Sequence, residues 1–133
     1  MAKSFKIQIA PTFKAPVEIP RVGGDPMRTT FTFKSFQRRE LAKLFDKWKK
    51  QGVELIEDMR AAAEREEPWS LAYLTEREIQ LQKEQLKDIL DGWGFEDEFN
   101  DENIEALVET SVSVTEVIVE QYHAAYERAK KGN

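Results

Sequence analysis

His123 is the only histidine of the chain, and it is the first candidate for acid–base chemistry because imidazole titrates near neutral pH. Glu120 and Glu127 lie about one helical turn away on either side, close enough for a carboxylate to orient the ring. No further polar group completes such a site. We interpret His123 as a surface histidine on a charged helix face. We predict no catalytic residue and do not expect an enzyme.

An acidic run at residues 96–102 has enough carboxylates to suggest a calcium site. An EF-hand loop needs oxygen ligands at its first, third and fifth positions, and glycine at its sixth. A loop starting at Asp91 has Trp93 in third place, and one starting at Asp97 has Phe99 there. We therefore predict no metal site, but a solvated loop whose negative charges favour the N-terminus of the next helix.

Two glycine clusters, Gly23-Gly24 and Gly92-Trp93-Gly94, are candidates for phosphate-binding loops. Neither carries the Lys-Ser/Thr of a P-loop or the spacing of a dinucleotide-binding fingerprint. We interpret them as turn and helix C-cap glycines. The chain has no cysteine, which excludes disulfides, thiolate metal sites and thiol nucleophiles. No cofactor is predicted.

Basic side chains are concentrated near two aromatic residues, Phe36 and Trp48. They are Lys34, Arg38, Arg39, Lys43, Lys47, Lys49 and Lys50. A basic helix near aromatics is able to bind nucleic-acid phosphates. No helix-turn-helix or strand-borne stacking motif accompanies this cluster, however. We interpret it as a solvated basic face and do not expect nucleic acid as a partner, although a small nucleic-acid-binding regulator stays open as an alternative function.

Aromatic residues are the best candidates for contacts with another protein. Trp48 and Trp93 lie on apolar stripes and are also explained by core packing, whereas Trp69 follows Pro68 in an acidic linker. A partly exposed tryptophan flanked by charges is a plausible interface anchor. The candidate partner-binding residues are Trp48, Trp69, Trp93, Phe95, Phe99 and Tyr122.

The composition is typical of a small globular protein. We predict a single domain over residues 1–133, with 41% apolar residues to form a core and 34% charged residues on its surface. No apolar run approaches the ~18 residues of a membrane span, and residues 1–5 lack the apolar region of a secretory signal. We expect a cytosolic protein with no membrane partner.

The net charge of −5 conceals an asymmetry between the two ends of the chain. Residues 1–50 hold twelve Lys/Arg and four Asp/Glu, a net +8. Residues 51–133 hold eight Lys/Arg and twenty-one Asp/Glu, a net −13. Opposite charges of this kind attract each other, either within one chain or between neighbouring copies.

Two regions with different periodicity are expected. Alternating apolar residues in 5–9, 17–19 and 30–34 predict short or edge strands, separated by prolines, so residues 1–36 are interpreted as a β-hairpin with an extended leading arm. Residues 37–133 are predicted to be helical. The fold class is thus mainly α, within α+β: an N-terminal hairpin or arm followed by a bundle of about four helices.

The helical region has a long first stripe and three marked helix starts. The stripe runs from Leu41 to Met59, with Gly52 as an interruption and Pro68 as the end of the helix. Later helices are predicted to begin at capping residues, with an apolar staple pair beside each. These caps are Thr75 with Leu74 and Ile79, Asn100 with Phe99 and Ile104, and Ser113 with Val112 and Val117. The helix from Thr75 is expected to run to Trp93.

Several segments follow one another along the chain in a characteristic order. They are 13–20, 24–26, 31–34, 44–48, 85–89, 93–99 and 101–104, followed by a last helix that contains Tyr122. Taken in this order, they resemble the tail assembly chaperones of long-tailed, non-contractile bacteriophages, and the resemblance covers nearly the whole chain.

The resemblance implies a non-enzymatic function. The resemblance implies that the protein escorts the tape measure protein, a long and partly apolar helical rod, in the host cell cytoplasm, and that it is absent from the finished virion. It also implies self-association along the rod. A longer form made by translational frameshifting would recruit the tail tube protein, and codons for residues 129–132 could contain the slippery run. A minor structural tail or connector protein is the other alternative.

Overall fold

The computed structural model describes residues 10–130 of the chain, and the side chains of residues 10–127. Three strands and four helices follow one another along the chain. They are β1 (Thr12–Ile19), β2 (Met27–Lys34), α1 (Arg38–Glu64), α2 (Leu71–Ile89), β3 (Leu90–Trp93), α3 (Asp101–Thr110) and α4 (Ser113–Lys130). The prediction of an α+β fold, with an N-terminal hairpin and about four helices, is confirmed.

Strands β1 and β2 form the predicted antiparallel hairpin, with Thr12 opposite Lys34 and Ile19 opposite Met27. Every second residue is buried, including Val17 on β1 and Phe31 on β2. Pro16 is accommodated because β1 is an edge strand of the sheet. The predicted strand over residues 5–9 lies outside the described residues.

Strand β3 is a part of the fold that the sequence did not predict. It pairs antiparallel with β2, with Trp93 opposite Phe31, and gives the sheet the order β1-β2-β3. The expected helix from Thr75 to Trp93 is wrong at this end, because α2 stops at Ile89. Gly92 and Gly94 disfavour helix here, and the free edge of β2 supplies hydrogen bonds for an extended chain instead.

Helices α2 and α4 pack on the apolar face of the sheet, and α3 packs on these two helices. Their buried residues form one cluster with the strands: Ala15, Val17, Ile19, Phe31, Phe33, Leu86, Ile89, Leu90, Ile104, Val108, Val114, Ile118 and Tyr122. Gln80 and Lys83 of α2 donate hydrogen bonds to Glu105 of α3, and these two bonds lower the pKa of the Glu105 carboxyl. Both apolar packing and polar contacts therefore join α2 to α3.

The predicted helix starts have different outcomes. The Asn100 cap is confirmed, because its Oδ1 accepts the Asn103 amide at 2.8 Å. Helix α4 begins at Ser113 as expected, but Val112 is 84% exposed, so the proposed staple with Val117 is wrong. The predicted start at Thr75 is also wrong. Helix α2 begins one turn earlier, where Ser70 Oγ accepts the Tyr73 amide at 3.1 Å.

Helix α1 is a long helix, as predicted, and its two halves have different surroundings. Leu44 and Trp48 in the first half pack against the core cluster. That cluster has no member between Trp48 and Ile79. The second half of α1 therefore pairs with the first half of α2 as an antiparallel helical hairpin, joined by residues 65–70 and separate from the main core.

Candidate protein-binding surface

An apolar groove lies between the two helices of the α1–α2 hairpin. It has a volume of about 370 Å³. It is lined by Gly52, Leu55, Ile56, Met59, Leu74, Glu78, Leu81, Gln82 and Gln85. We call this feature the α1–α2 groove. Its apolar side chains come from both helices, and its polar ones come from α2.

The groove exists because α1 and α2 do not cover each other completely. Ile56 is 52% exposed and Met59 is 36% exposed, although both belong to the apolar stripe of α1. Ala62, three residues after Met59 on the same side of α1, is buried. A small alanine at the contact allows the two helices to approach each other closely there, and the larger apolar side chains beside it stay partly open to solvent.

Trp69 lies at the closed end of the hairpin, as part of an exposed aromatic group. Its ring is 4.9 Å from the Tyr73 ring, and the Arg77 guanidinium lies 4.9 Å from the Trp69 centroid. Arg77 donates a 3.0 Å hydrogen bond to Asp58 on α1, and this bond is the main reason why the pKa of Arg77 is raised. These contacts connect α1 to α2 and leave Tyr73 47% exposed.

Trp48 lies at the other end of the hairpin, where α1 meets the core. Its indole nitrogen donates a 2.9 Å hydrogen bond to Asp88, which also pairs with Lys47 at 3.0 Å. The ring packs on Phe45, with centroids 5.6 Å apart. Trp48 is therefore half-buried and held in place by contacts within the chain.

Trp93, Phe95 and Phe99 form a third aromatic group, beside strand β3. The Trp93 ring lies 5.2 Å from Phe95 and 5.1 Å from Phe99, both edge to face. The Trp93 indole donates a 2.8 Å hydrogen bond to the carbonyl of Asp97. All three side chains are half-buried, and the group is separate from the α1–α2 groove.

Tyr122 is in a different environment from the other candidate residues, because it is fully buried. Its hydroxyl donates to the carbonyl of Lys34 at 2.9 Å and lies 3.2 Å from the Tyr126 hydroxyl. Burial raises the pKa of Tyr122 above its usual range. We therefore do not include it in the proposed binding surface.

The other chemical candidates also have defined surroundings. His123 is exposed and packs beside Phe45 with the two rings tilted and their centroids 4.7 Å apart, and no hydrogen bond joins it to a carboxylate among the described side chains. In residues 10–127 no cluster of His, Asp and Glu is arranged to hold a metal ion. In the same part of the chain, no helix is long and apolar enough to cross a membrane.

Sequence reasoning missed several groove residues on α2. Leu81 was not singled out, and Leu74 was assigned to a staple rather than to a surface. The signal that could have found them is Ser70, a good N-cap residue after Pro68. A helix that starts there carries Leu74 and Leu81 seven residues apart on one face.

An open apolar groove on a charged helical hairpin is a surface suited to binding another protein. The family model described as phage tail assembly chaperone matches residues 1–133, and the chain belongs to this family. The resemblance found in the sequence is thereby confirmed at the level of the family. The family implies a role in assembly rather than in catalysis. No curated protein and no solved structure gave a significant match.

Proposed function

We propose that this protein is a non-enzymatic chaperone that binds the tape measure protein and keeps it soluble while the phage tail is assembled. The observation that carries this proposal is the α1–α2 groove, with partly exposed Ile56 and Met59 on a hairpin rich in charged side chains. A chaperone needs apolar surface that can be covered and uncovered again. No reacting group is needed for that purpose.

The shape and composition of the groove suit an amphipathic helix. Such a helix lays apolar side chains spaced three and four residues apart into an apolar groove. Burying one large apolar side chain contributes roughly 1.5–3 kcal/mol, so a few contacts give weak and reversible binding. Many copies along one rod would together hold it firmly, because each bound copy covers another stretch of its apolar surface.

Several of the predicted aromatic residues extend the proposed surface. Trp69 lies at the end of the hairpin beside the exposed Tyr73, where it could contact the same rod. Trp48 lies at the opposite end of the hairpin. Trp93, Phe95 and Phe99 are proposed as a second contact area, since they are half-buried and form an aromatic group of their own.

The other proposed properties follow from the family resemblance. The protein would act in the host cell cytoplasm, associate with further copies of itself and be absent from the mature virion. A frameshift-extended form would recruit the tail tube protein. These proposals concern partners and location, and they are independent of which face of the molecule binds the rod.

Co-expression with the tape measure protein tests the proposed function. Met59 is the position to change, because its side chain lines the groove and is partly exposed. We expect Met59→Glu to reduce the amount of soluble, co-purified tape measure protein at least about tenfold, since a carboxylate would have to lose its water in the groove. Met59→Leu should retain binding, because it keeps an apolar side chain of similar volume.

A control variant separates this groove from apolar surface in general. Val112→Glu introduces the same charge at a residue that is 84% exposed and far from the groove in sequence, and it should bind normally. Equal binding by Met59→Glu and the wild-type protein would contradict the proposed site. Detection of the chain in purified virions would favour a structural tail protein, and tight DNA binding at physiological salt would favour a nucleic-acid-binding regulator.

A further inference from the structure

The outward face of helix α1 lies opposite the side that packs on the rest of the molecule. Residues of a helix are separated by about 100° around its axis. Leu44, Leu55 and the buried Ala62 therefore share one side, and Val53 lies at the centre of the other. We define the outer face of α1 as Asp46, Lys49, Val53, Glu57 and Arg60, all of which are exposed.

The charges of α1 oppose the helix macrodipole. Residues 38–50 carry six Lys/Arg and two Asp/Glu, a net +4, and residues 51–64 carry one Arg and four Asp/Glu, a net −3. The last turn of the helix has no basic residue. Negative charge near the N-terminus and positive charge near the C-terminus would stabilise an isolated helix. This distribution does the reverse, so the dipole of the helix does not account for it.

On the outer face, residues at equal distances before and after Val53 carry opposite charges. Lys49 lies four residues before Val53 and Glu57 lies four residues after it. Asp46 lies seven residues before Val53 and Arg60 lies seven residues after it. Each residue on one side thus has an opposite charge at the same distance on the other side. Within residues 10–127, Lys49 and Glu57 have no ion-pair partner.

We propose that two copies of this chain pair through the outer faces of their α1 helices, antiparallel, with a two-fold axis beside Val53. A two-fold contact brings each residue opposite its counterpart on the other side of the axis. Lys49 of each copy then faces Glu57 of the other, and Asp46 faces Arg60. A parallel pair would instead place Lys49 opposite Lys49, which is repulsive.

The proposed contact is polar around an apolar centre. Val53, the apolar residue at this centre, is 46% exposed. One helix face buries less surface than a stable dimer does, and exposed ion pairs are screened by salt. The dimer is therefore expected to be reversible and to dissociate on dilution or at high ionic strength.

This contact gives a structure to the self-association that is part of the proposed function. It uses residues that do not line the α1–α2 groove, so a copy can bind a rod and a neighbour at the same time. Dimer formation is measured on the purified chain alone. If no dimer forms, the groove experiment still tests binding of the tape measure protein, and if that binding fails, the dimer can still be measured.

Charge reversal on the outer face tests the pairing by sedimentation velocity at low ionic strength. Lys49→Glu and Glu57→Lys should each raise the dimer dissociation constant about tenfold or more, because two attractive pairs become repulsive. Mixing the two variants should restore a one-to-one dimer, since each new charge then faces its opposite. The double variant K49E/E57K should dimerise like the wild type. Matching circular dichroism spectra would establish that all variants are folded.

A cysteine at the axis provides a second measurement, because the chain has no cysteine of its own. Val53→Cys should form a disulfide-linked dimer under mild oxidation. Val22→Cys is the control, at an 89% exposed residue in the turn between β1 and β2, and should form much less. A wild-type monomer at all concentrations, no recovery on mixing, or equal cross-linking of both cysteine variants would overturn the proposal.

Discussion

At the residue scale, Tyr122 shows how a buried polar group can join two elements. Its hydroxyl links the end of β2 to α4 through Lys34, and the neighbouring Tyr126 hydroxyl accepts the Phe36 amide at 3.1 Å. The Tyr122 ring lies 5.4 Å from the Phe33 ring, centroid to centroid. Since buried polar groups are costly without partners, these bonds contribute to a single packed arrangement.

Removing the hydroxyl of Tyr122 should therefore destabilise the fold. We expect Tyr122→Phe to lower the free energy of unfolding by about 1–2 kcal/mol near neutral pH, because the Lys34 carbonyl loses this donor. Urea unfolding followed by circular dichroism would measure it. Tyr73→Phe, at a 47% exposed residue, is the matched control and should change the free energy by less than about 0.5 kcal/mol.

The same variant tests the raised pKa of Tyr122. A group whose pKa is higher in the folded state contributes stability that is fully present below its unfolded-state pKa of about 10. That contribution is lost as the pH rises further. The advantage of the wild type over Tyr122→Phe should thus be nearly constant below about pH 9 and shrink between about pH 10 and about pH 11. A constant difference over this interval would show that the hydroxyl does not titrate with the fold.

At the element scale, patterns within one segment predicted the structure well. Alternation in residues 30–34 identified β2, and the Asn100 cap identified α3, because both signals arise from neighbouring residues. Strand β3 could not be found in this way. It is four residues long, and its partner Phe31 lies far away in the sequence, so Leu90 and Trp93 appeared to continue the stripe of α2.

Gly94 allows β3 to approach β2 closely, which leads to a prediction for this element. A Cβ at Gly94 would lie 2.8 Å from Thr29 Oγ1 and 3.2 Å from the carbonyl oxygen of Thr30. We expect Gly94→Ala to cost about 1–3 kcal/mol of unfolding free energy, because the backbone of β2 has to move. Chemical denaturation would measure the change.

Gly92→Ala is the control for this prediction. Its new Cβ would meet Thr32 at 3.9 Å, an ordinary van der Waals distance. It should therefore destabilise the protein clearly less than Gly94→Ala. Equal effects of the two variants would mean that a general preference for glycine, and not the close approach to β2, explains the sequence.

At the scale of the whole molecule, the sequence located part of the candidate site but not its exposure. The spacing of Leu55, Ile56 and Met59 predicts one apolar stripe, but it does not tell whether the stripe is internal. Whether a stripe is covered depends on the position of the neighbouring helix. The early start of α2 makes the hairpin, and the separation of the hairpin from the core leaves the groove open.

The molecule thus combines a folded base with a hairpin that carries two different surfaces. The base consists of the sheet and helices α2 to α4, which surround the core cluster. The α1–α2 groove is apolar and is proposed to hold the rod, whereas the outer face of α1 is charged and is proposed to meet a second copy. Separate surfaces would let copies add along a rod without competing for one site.

Photo-cross-linking during tail assembly tests the central claim most directly. A photoreactive amino acid placed at Met59 should form a covalent adduct with the tape measure protein, because this side chain lines the groove. The same amino acid at Val22 should not, since this residue lies in the turn of the β-hairpin. No tape measure adduct from Met59, or equal yields from the two positions, would contradict the account.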